Sequence, residues 1–312
     1  MCDEKNSFKG RTARKVVNIA HHLPYFGHKA QNGELQKRMI EREKEWECPA
    51  HLKRTVIPME ESSFSMELLE SKEGEAPGMI LQLHGGGYYG KLHNIYRDMA
   101  AMYHEVSDGY SVLSVDYRVA PEHPFPAALE DALCAYQWIL EQGYTAKRLI
   151  VVGDSAGGGL ALALLLYLRD HGMELPGGVV TMSAWTDLTG RGASYEDNFE
   201  IDPIFGRTRD SLIYKEGYVR DEDPENPYIS PVYGNYENFP PMLMQVGEYE
   251  MLLDDTRTVA DKARKAGVAV DEHIYKGMFH VFQMGLLRYP ESENAWMEVG
   301  NFIRTITKEE ED

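Results

Sequence analysis

Ser155 stands in the run GDSAGG, residues 153–158, between the apolar stretch RLIVV and the apolar run LALALLLYL. A serine hydroxyl is a weak nucleophile until a base removes its proton and donors await the charge it creates on a carbonyl oxygen. The order apolar strand, glycine-flanked serine, apolar helix is the local sequence of a nucleophile elbow. There the hydroxyl is exposed above the strand ends, and the N–H groups at the start of the following helix favour developing negative charge. Gly153 and Gly157 let the chain pass closely at such a turn.

A second glycine run supplies what the serine lacks. LQLHGGGYYG, residues 81–90, again follows an apolar strand. Consecutive glycines let backbone N–H groups turn toward a tetrahedral oxyanion without a Cβ in the way. Gly86 and Gly87, with the N–H of Ala156, are the candidate oxyanion donors, and Gly85 shapes the turn. A phosphate-binding loop is the competing reading, but no Lys-Ser/Thr pair follows as a P-loop requires. His84 reads as a scaffold for this loop rather than a proton carrier.

A base must then reach Ser155, and on this strand–turn–helix arrangement the chain order is serine, acid, histidine. Late in the chain stand His273, inside the strand pattern VDEHIY, and His280, in the loop sequence YKGMFHVF. The loop position selects His280. Its orienting carboxylate is expected after the strand MLMQVG, which leaves Glu248, Glu250, Asp254 and Asp255 in GEYEMLLDD; spacing alone keeps all four open.

The elements that must position these residues follow from periodicity. SFSMELL, MILQLH, YSVLSVDY, RLIVVG, GVVTMSA, MLMQVG and VAVDEHIY read as strands, and NIYRDMAAMYHEV, PAALEDALCAYQWILEQG, GGLALALLLYLRDHG and DDTRTVADKARKAG as the helices between them. This alternation predicts an α/β domain with a mostly parallel sheet covered on both faces. Residues 1–55 are polar and charged, and NGELQKRMIEREKEWE within them reads as one amphipathic helix. Between about 190 and 235 the pattern gives way to Tyr-, Asp- and Pro-rich sequence, an excursion expected to form a helical lid with the N-terminal segment.

With 32 Lys and Arg against 50 Asp and Glu the net charge is −18 across 312 residues. No basic stripe is evident, so neither nucleic acid nor an anionic membrane is the expected partner. Cys2, Cys48 and Cys134 are too few and too widely spaced for a disulfide framework or a CxxC metal site. No signal-peptide core and no run of about 20 apolar residues is present, so a soluble, cytoplasmic protein with reduced thiols is expected. The sequence is compatible with a homodimer through the last helix or an edge strand and does not specify one.

HGGG at 84–87, GDSAGG at 153–158, VDYRVAPEHPFPAALED at 115–131, SAWTDLT at 183–189 and GMFHVF at 277–282 occur in this order. Together they resemble the hormone-sensitive lipase family of α/β-hydrolases, in its bacterial esterase branch, over about residues 63–302. The resemblance implies an α/β-hydrolase fold, with a catalytic body over 56–312 and a cap from residues 1–55 and 190–235. It implies Ser155 as nucleophile, His280 as base and Glu250 as acid, with Asp254 as the alternative. Glu250 stands where the family has Asp, and Met251 where it has Pro.

Gly85, Tyr88 and Asp154 are candidates to border the substrate, and Tyr88 and Tyr89 are equally placed to line a pocket or pack in the core. Arg118 and Glu122 are expected to brace loops, and Asp154 and Asp187 to act as hydrogen-bonded structural carboxylates. The implied activity is hydrolysis of small, short-chain acyl esters without metal or organic cofactor. An amidase or peptidase would share this machinery. A small-molecule receptor on the same fold is the non-enzymatic alternative, one that in plant relatives goes with loss of the histidine that is present here as His280.

Overall fold

The computed structural model describes residues 6–22, 40–59, 63–207 and 217–308. Among the described residues eight strands form one sheet: β1 (Leu52–Met59), β2 (Phe64–Ser71), β3 (Met79–Leu83), β4 (Ser111–Asp116), β5 (Leu149–Asp154), β6 (Gly178–Met182), β7 (Met242–Gly247) and β8 (Val270–Tyr275). Their order is β1-β2-β4-β3-β5-β6-β7-β8. β1 and β2 pair antiparallel, as do β2 and β4, and the remaining pairs are parallel.

Side-chain alternation divides the core into two layers. Ile80, Val112, Ile150 and Val152 face one layer, whereas their neighbours Leu81, Leu113 and Val151 face the other. The first layer is closed by α2 (Asn94–Val106) and α7 (Pro290–Lys308), through residues such as Met99, Tyr103, Trp296 and Ile303. The second is closed by α3 (Ala127–Glu141), α4 (Ala156–Asp170) and α6 (Leu253–Lys265). α4 is buried along almost its whole length, which explains why its sequence is nearly uniformly apolar rather than amphipathic.

Register then gathers the loops. Leu83 lies opposite Gly153, Asp154 opposite Met182, and Gly247 opposite Tyr275. The C-terminal ends of β3, β5, β6, β7 and β8 are therefore neighbours, and the loops leaving them converge at one edge of the sheet.

Three readings of the sequence are corrected. β1 was not expected: LKRTVIPM is an edge strand that, among the described residues, pairs only with β2, and its half-exposed pattern carries Lys53, Arg54 and Pro58. The helix expected over NGELQKRMIEREKEWE lies partly outside the described residues. Within them Ile40 and Glu41 are helical and 43–49 are irregular. That irregular stretch fastens α2 instead: Glu43 Oε2 accepts from Asn94 N at 2.9 Å, and Trp46 Nε1 donates to Asp98 Oδ1 at 2.8 Å. Finally, of the two residues expected to brace loops, Arg118 does so, its backbone N–H and guanidinium donating to the buried Asp131, whereas Glu122 is exposed.

The remainder of the N-terminal segment forms α1 (Phe8–His22). In the excursion between β6 and β7, the described residues hold the four-residue α5 (Ser194–Asp197) and a 3₁₀ turn at Pro231–Tyr233, with turns between. Cys48 and Cys134 are free thiols, and Cys2 lies outside the described residues.

Candidate active site

β5 ends at Asp154 and α4 begins at Ala156, so Ser155 occupies the turn between them with φ 51° and ψ −123°. A non-glycine residue rarely adopts this conformation, and neighbouring backbone holds it. Ser155 N–H donates to Met182 O at 2.9 Å, and Ser155 O accepts from Trp185 N at 2.8 Å. The need for glycine two residues on is steric. A Cβ on Gly157 would lie 2.1 Å from Leu83 O and 2.5 Å from His84 O.

His280 sits in the loop after β8, with Nε2 2.9 Å from Ser155 Oγ. Its Nδ1 lies 3.0 Å from Glu250 Oε2, and Glu250 comes from the loop after β7. Glu250 is fully buried. Its other oxygen accepts hydrogen bonds from Ser183 Oγ at 2.7 Å and from Gly247 N–H. A buried carboxylate needs such donors to offset its lost hydration.

The other three carboxylates are engaged elsewhere. Glu248 accepts from Gly277 N at 2.8 Å, and Asp254 from Ser194 N at 2.9 Å. Asp255 accepts from the N–H groups of Thr186 and Asp187 at 2.7 and 2.8 Å. Asp187 in turn holds its own loop, accepting from Arg191 N at 2.9 Å.

Ser183, Phe205 and Asp202 join this site without having been singled out in the sequence. Ser183, at φ 51°, donates to Glu250 while accepting from Val281 N at 3.0 Å, so one hydroxyl ties the acid to the histidine loop. Its only sequence signal was its place in SAWTDLT. The Phe205 ring meets the His280 ring edge-on, 4.6 Å between centroids. Asp202 fixes that ring by accepting from Ile204 N and Phe205 N, and from Met251 N next to Glu250. Burial pushes its carboxyl up to about 6.

The glycine loop lies across the elbow. Gly85 N–H donates to Asp154 Oδ1 at 3.1 Å, and Gly86 O accepts from Tyr89 N and Gly90 N. Gly86 and Gly87 have φ of 110° and 63°, and their N–H groups donate to no backbone carbonyl among the described residues. The Ala156 N–H, at the first position of α4, has no partner within its helix by construction. None of these three N–H groups thus donates to a backbone carbonyl among the described residues.

Tyr88 is buried and stacks on Tyr218 at 3.7 Å between ring centroids, and its carbonyl accepts from Ala120 N. His84 stacks on Tyr117 and its Nδ1 lies 2.7 Å from Gly85 O. Burial drives its pKa down to about 3, which keeps the imidazole neutral and fits the scaffold reading. Asp154 is buried with Oδ2 lacking a hydrogen-bond partner among the described residues, and burial pushes its carboxyl up to about 7.

Among the described residues, no cluster of three or more His, Cys, Asp or Glu side chains is arranged to hold a metal ion, and no helix is long and apolar enough to cross a membrane.

A parallel sheet with a strained serine between strand and helix, backed by a histidine from a later loop, defines the α/β-hydrolase class. Residues 80–284 match the family of that fold. An acetyl-hydrolase of Streptomyces hygroscopicus is 40% identical over 230 residues, covering 74% of this chain and 76% of its own. Among solved structures, the esterase EstE5, soaked with p-nitrophenyl butyrate, superposes with a TM-score of 0.86 at 32% identity, over 97% of this chain and 99% of its own. An esterase of the bacterial hormone-sensitive lipase family gives 0.85 at 31% identity, over 97% and 100%. The chain therefore belongs to the α/β-hydrolase family and, within it, to the bacterial hormone-sensitive-lipase-type esterases. It is a carboxylic ester hydrolase.

Proposed function

We propose that the chain is a serine carboxylesterase acting on small esters with short acyl chains, with Ser155 as nucleophile, His280 as base and Glu250 as orienting acid. The hydrogen-bonded series from Ser155 Oγ through both His280 nitrogens to Glu250 carries this reading.

In the first step Ser155 Oγ attacks the ester carbonyl carbon while His280 Nε2 takes the hydroxyl proton. The carbonyl oxygen gains the negative charge and is met by the N–H groups of Gly86, Gly87 and Ala156, each such donor being worth about 3–4 kcal/mol in related chemistry. Glu250 stabilises the imidazolium and fixes the tautomer that leaves Nε2 free to accept. Collapse expels the alcohol, which takes the proton from Nε2. Water, deprotonated by the same nitrogen, then attacks the acyl-enzyme and releases the carboxylic acid and free Ser155.

The acyl preference is supported by what relatives act on or bind by name, an acetyl-hydrolase and an esterase soaked with a butyrate ester. Residues 1–55 and 190–235 are read as a cap on the catalytic body, and Gly85, Tyr88 and Asp154 as residues that shape the floor of the site. Turnover of p-nitrophenyl acetate, butyrate, octanoate and palmitate tests the reading. Rates that fall with chain length, vanish in Ser155→Ala and collapse in Glu250→Ala support it. Activity surviving Ser155→Ala, or a preference for palmitate, overturns it.

A further inference from the structure

Arg14 belongs to α1, well before the family match begins at residue 80, yet it touches both loops that bear the acid and the base. Its Nη1 donates to Gly277 O at 2.7 Å, three residues before His280. Its guanidinium also lies over the ring of Tyr249, the residue before Glu250, with Cζ 4.5 Å from the centroid. Asn6 Nδ2 donates to the same carbonyl at 3.1 Å.

Gly277 is shaped for this contact. Its φ is +63°, and a Cβ there would lie 2.6 Å from Asn6 Nδ2 and 2.9 Å from Arg14 Nη1. On the other side of the same residue, Gly277 N–H donates to Glu248. α1 is itself anchored, because Ser7 Oγ donates to Glu291 of α7 at 2.8 Å and Ala13 and Val17 pack on the cluster of Met278, Phe279 and Phe282.

We propose that α1 is a clasp and Arg14 a positioning residue that holds the Glu250 loop and the His280 loop in mutual register; this rests on the serine-esterase reading above. The planar guanidinium serves both loops at once, stacking on one while bonding to the other. A lysine ammonium would supply the hydrogen bond without the flat stacking surface. The effect belongs to the chemical step, since displacement of a catalytic group by about 1 Å costs on the order of a hundredfold in rate.

The test is steady-state kinetics on p-nitrophenyl acetate with Arg14→Ala, Arg14→Lys and Asn6→Ala, beside the exposed-site control Lys9→Ala and the inactive reference Ser155→Ala. Expected are a fall of about tenfold in kcat for Arg14→Ala at a KM within about twofold of wild type, with Arg14→Lys recovering about threefold of it. Asn6→Ala loses less, because Arg14 still holds Gly277. A folded Arg14→Ala with wild-type kcat, or one whose loss lies wholly in KM, overturns the clasp. If Arg14→Ala fails to fold, Arg14→Lys decides alone, unchanged kcat overturning the proposal and a fall of about threefold at constant KM supporting it. Activity in Ser155→Ala would instead overturn the reading beneath it.

Discussion

Replacing Asp154 by Asn removes a titration that the fold opposes. The carboxyl is buried beside Ser155, and its pKa rises from 3.8 to about 7 because burial penalises the charge. The folded chain therefore keeps this proton to higher pH than the unfolded chain. Stability falls as pH rises between those two values and is level above about 7. A shift of about three pH units corresponds to a full penalty of about 4 kcal/mol, of which about 2–3 kcal/mol accrues between pH 5 and pH 8.

Asparagine keeps the oxygen that accepts Gly85 N–H and carries no charge at any of these pH values. The stability difference between Asp154→Asn and wild type is thus expected to move in the variant's favour by about 2–3 kcal/mol from pH 5 to pH 8. Urea unfolding followed by tryptophan fluorescence at pH 5, 6, 7 and 8 measures it, as a relative midpoint shift of roughly 0.5–1 M. Titrations of groups that do not sense the Asp154 charge cancel between the two proteins. A difference that stays constant within about 0.5 kcal/mol across this range would refute the reasoning, because Asp154 would then ionise in the fold as freely as in the unfolded chain.

Ser183→Ala removes the hydroxyl shared by Glu250 and Val281, and is expected to cost about 2–3 kcal/mol in stability and about tenfold in kcat, read by urea unfolding and ester turnover. Asp254→Ala is expected to keep ester turnover within about twofold, since Asp254 serves Ser194 and Arg257, whereas Glu250→Ala loses at least a hundredfold. Glu67, between Arg54 and Arg97, has its pKa lowered to about 2; burial opposes this, but the two guanidiniums outweigh it. Its stabilisation is present above the unfolded value of 4.5 and is lost as pH falls toward about 2. After allowance for solvent screening, Glu67→Gln is expected to cost on the order of 2 kcal/mol at pH 7 and little at pH 2.5, measured by urea unfolding.

The parts of this molecule written in local pattern are legible in the sequence. The strand–elbow–helix around Ser155 and the glycine run after β3 carry their geometry in residue type, since few side chains tolerate those turns. β3 to β7 showed as apolar runs because both sides of the sheet are covered there. β1 did not, because an edge strand with one neighbour needs no continuous apolar run and keeps Lys53 and Arg54 half out in solvent.

The acid was ambiguous for a different reason. Four carboxylates follow β7 within eight residues, and only the path of the chain past Gly247 decides which one turns toward His280. Ser183, Phe205 and Arg14 lie 67, 75 and 263 residues from their partners Glu250, His280 and Gly277, so no local spacing announces them. The charged stretch before β1 read as a helix on its composition, but its Glu43 and Trp46 are used to fasten α2.

The central claim is that Ser155 attacks an acyl carbon with its proton passed to His280, and covalent capture tests it most directly. Incubation with a p-nitrophenyl dialkyl phosphate, followed by intact-mass and peptide mapping, is expected to place one dialkylphosphoryl group on Ser155 with release of one equivalent of p-nitrophenol. Labelling is expected to be lost in Ser155→Ala and slowed at least a hundredfold in His280→Ala. A label on any other residue, or a folded wild-type protein that takes none while still hydrolysing p-nitrophenyl acetate, would contradict it.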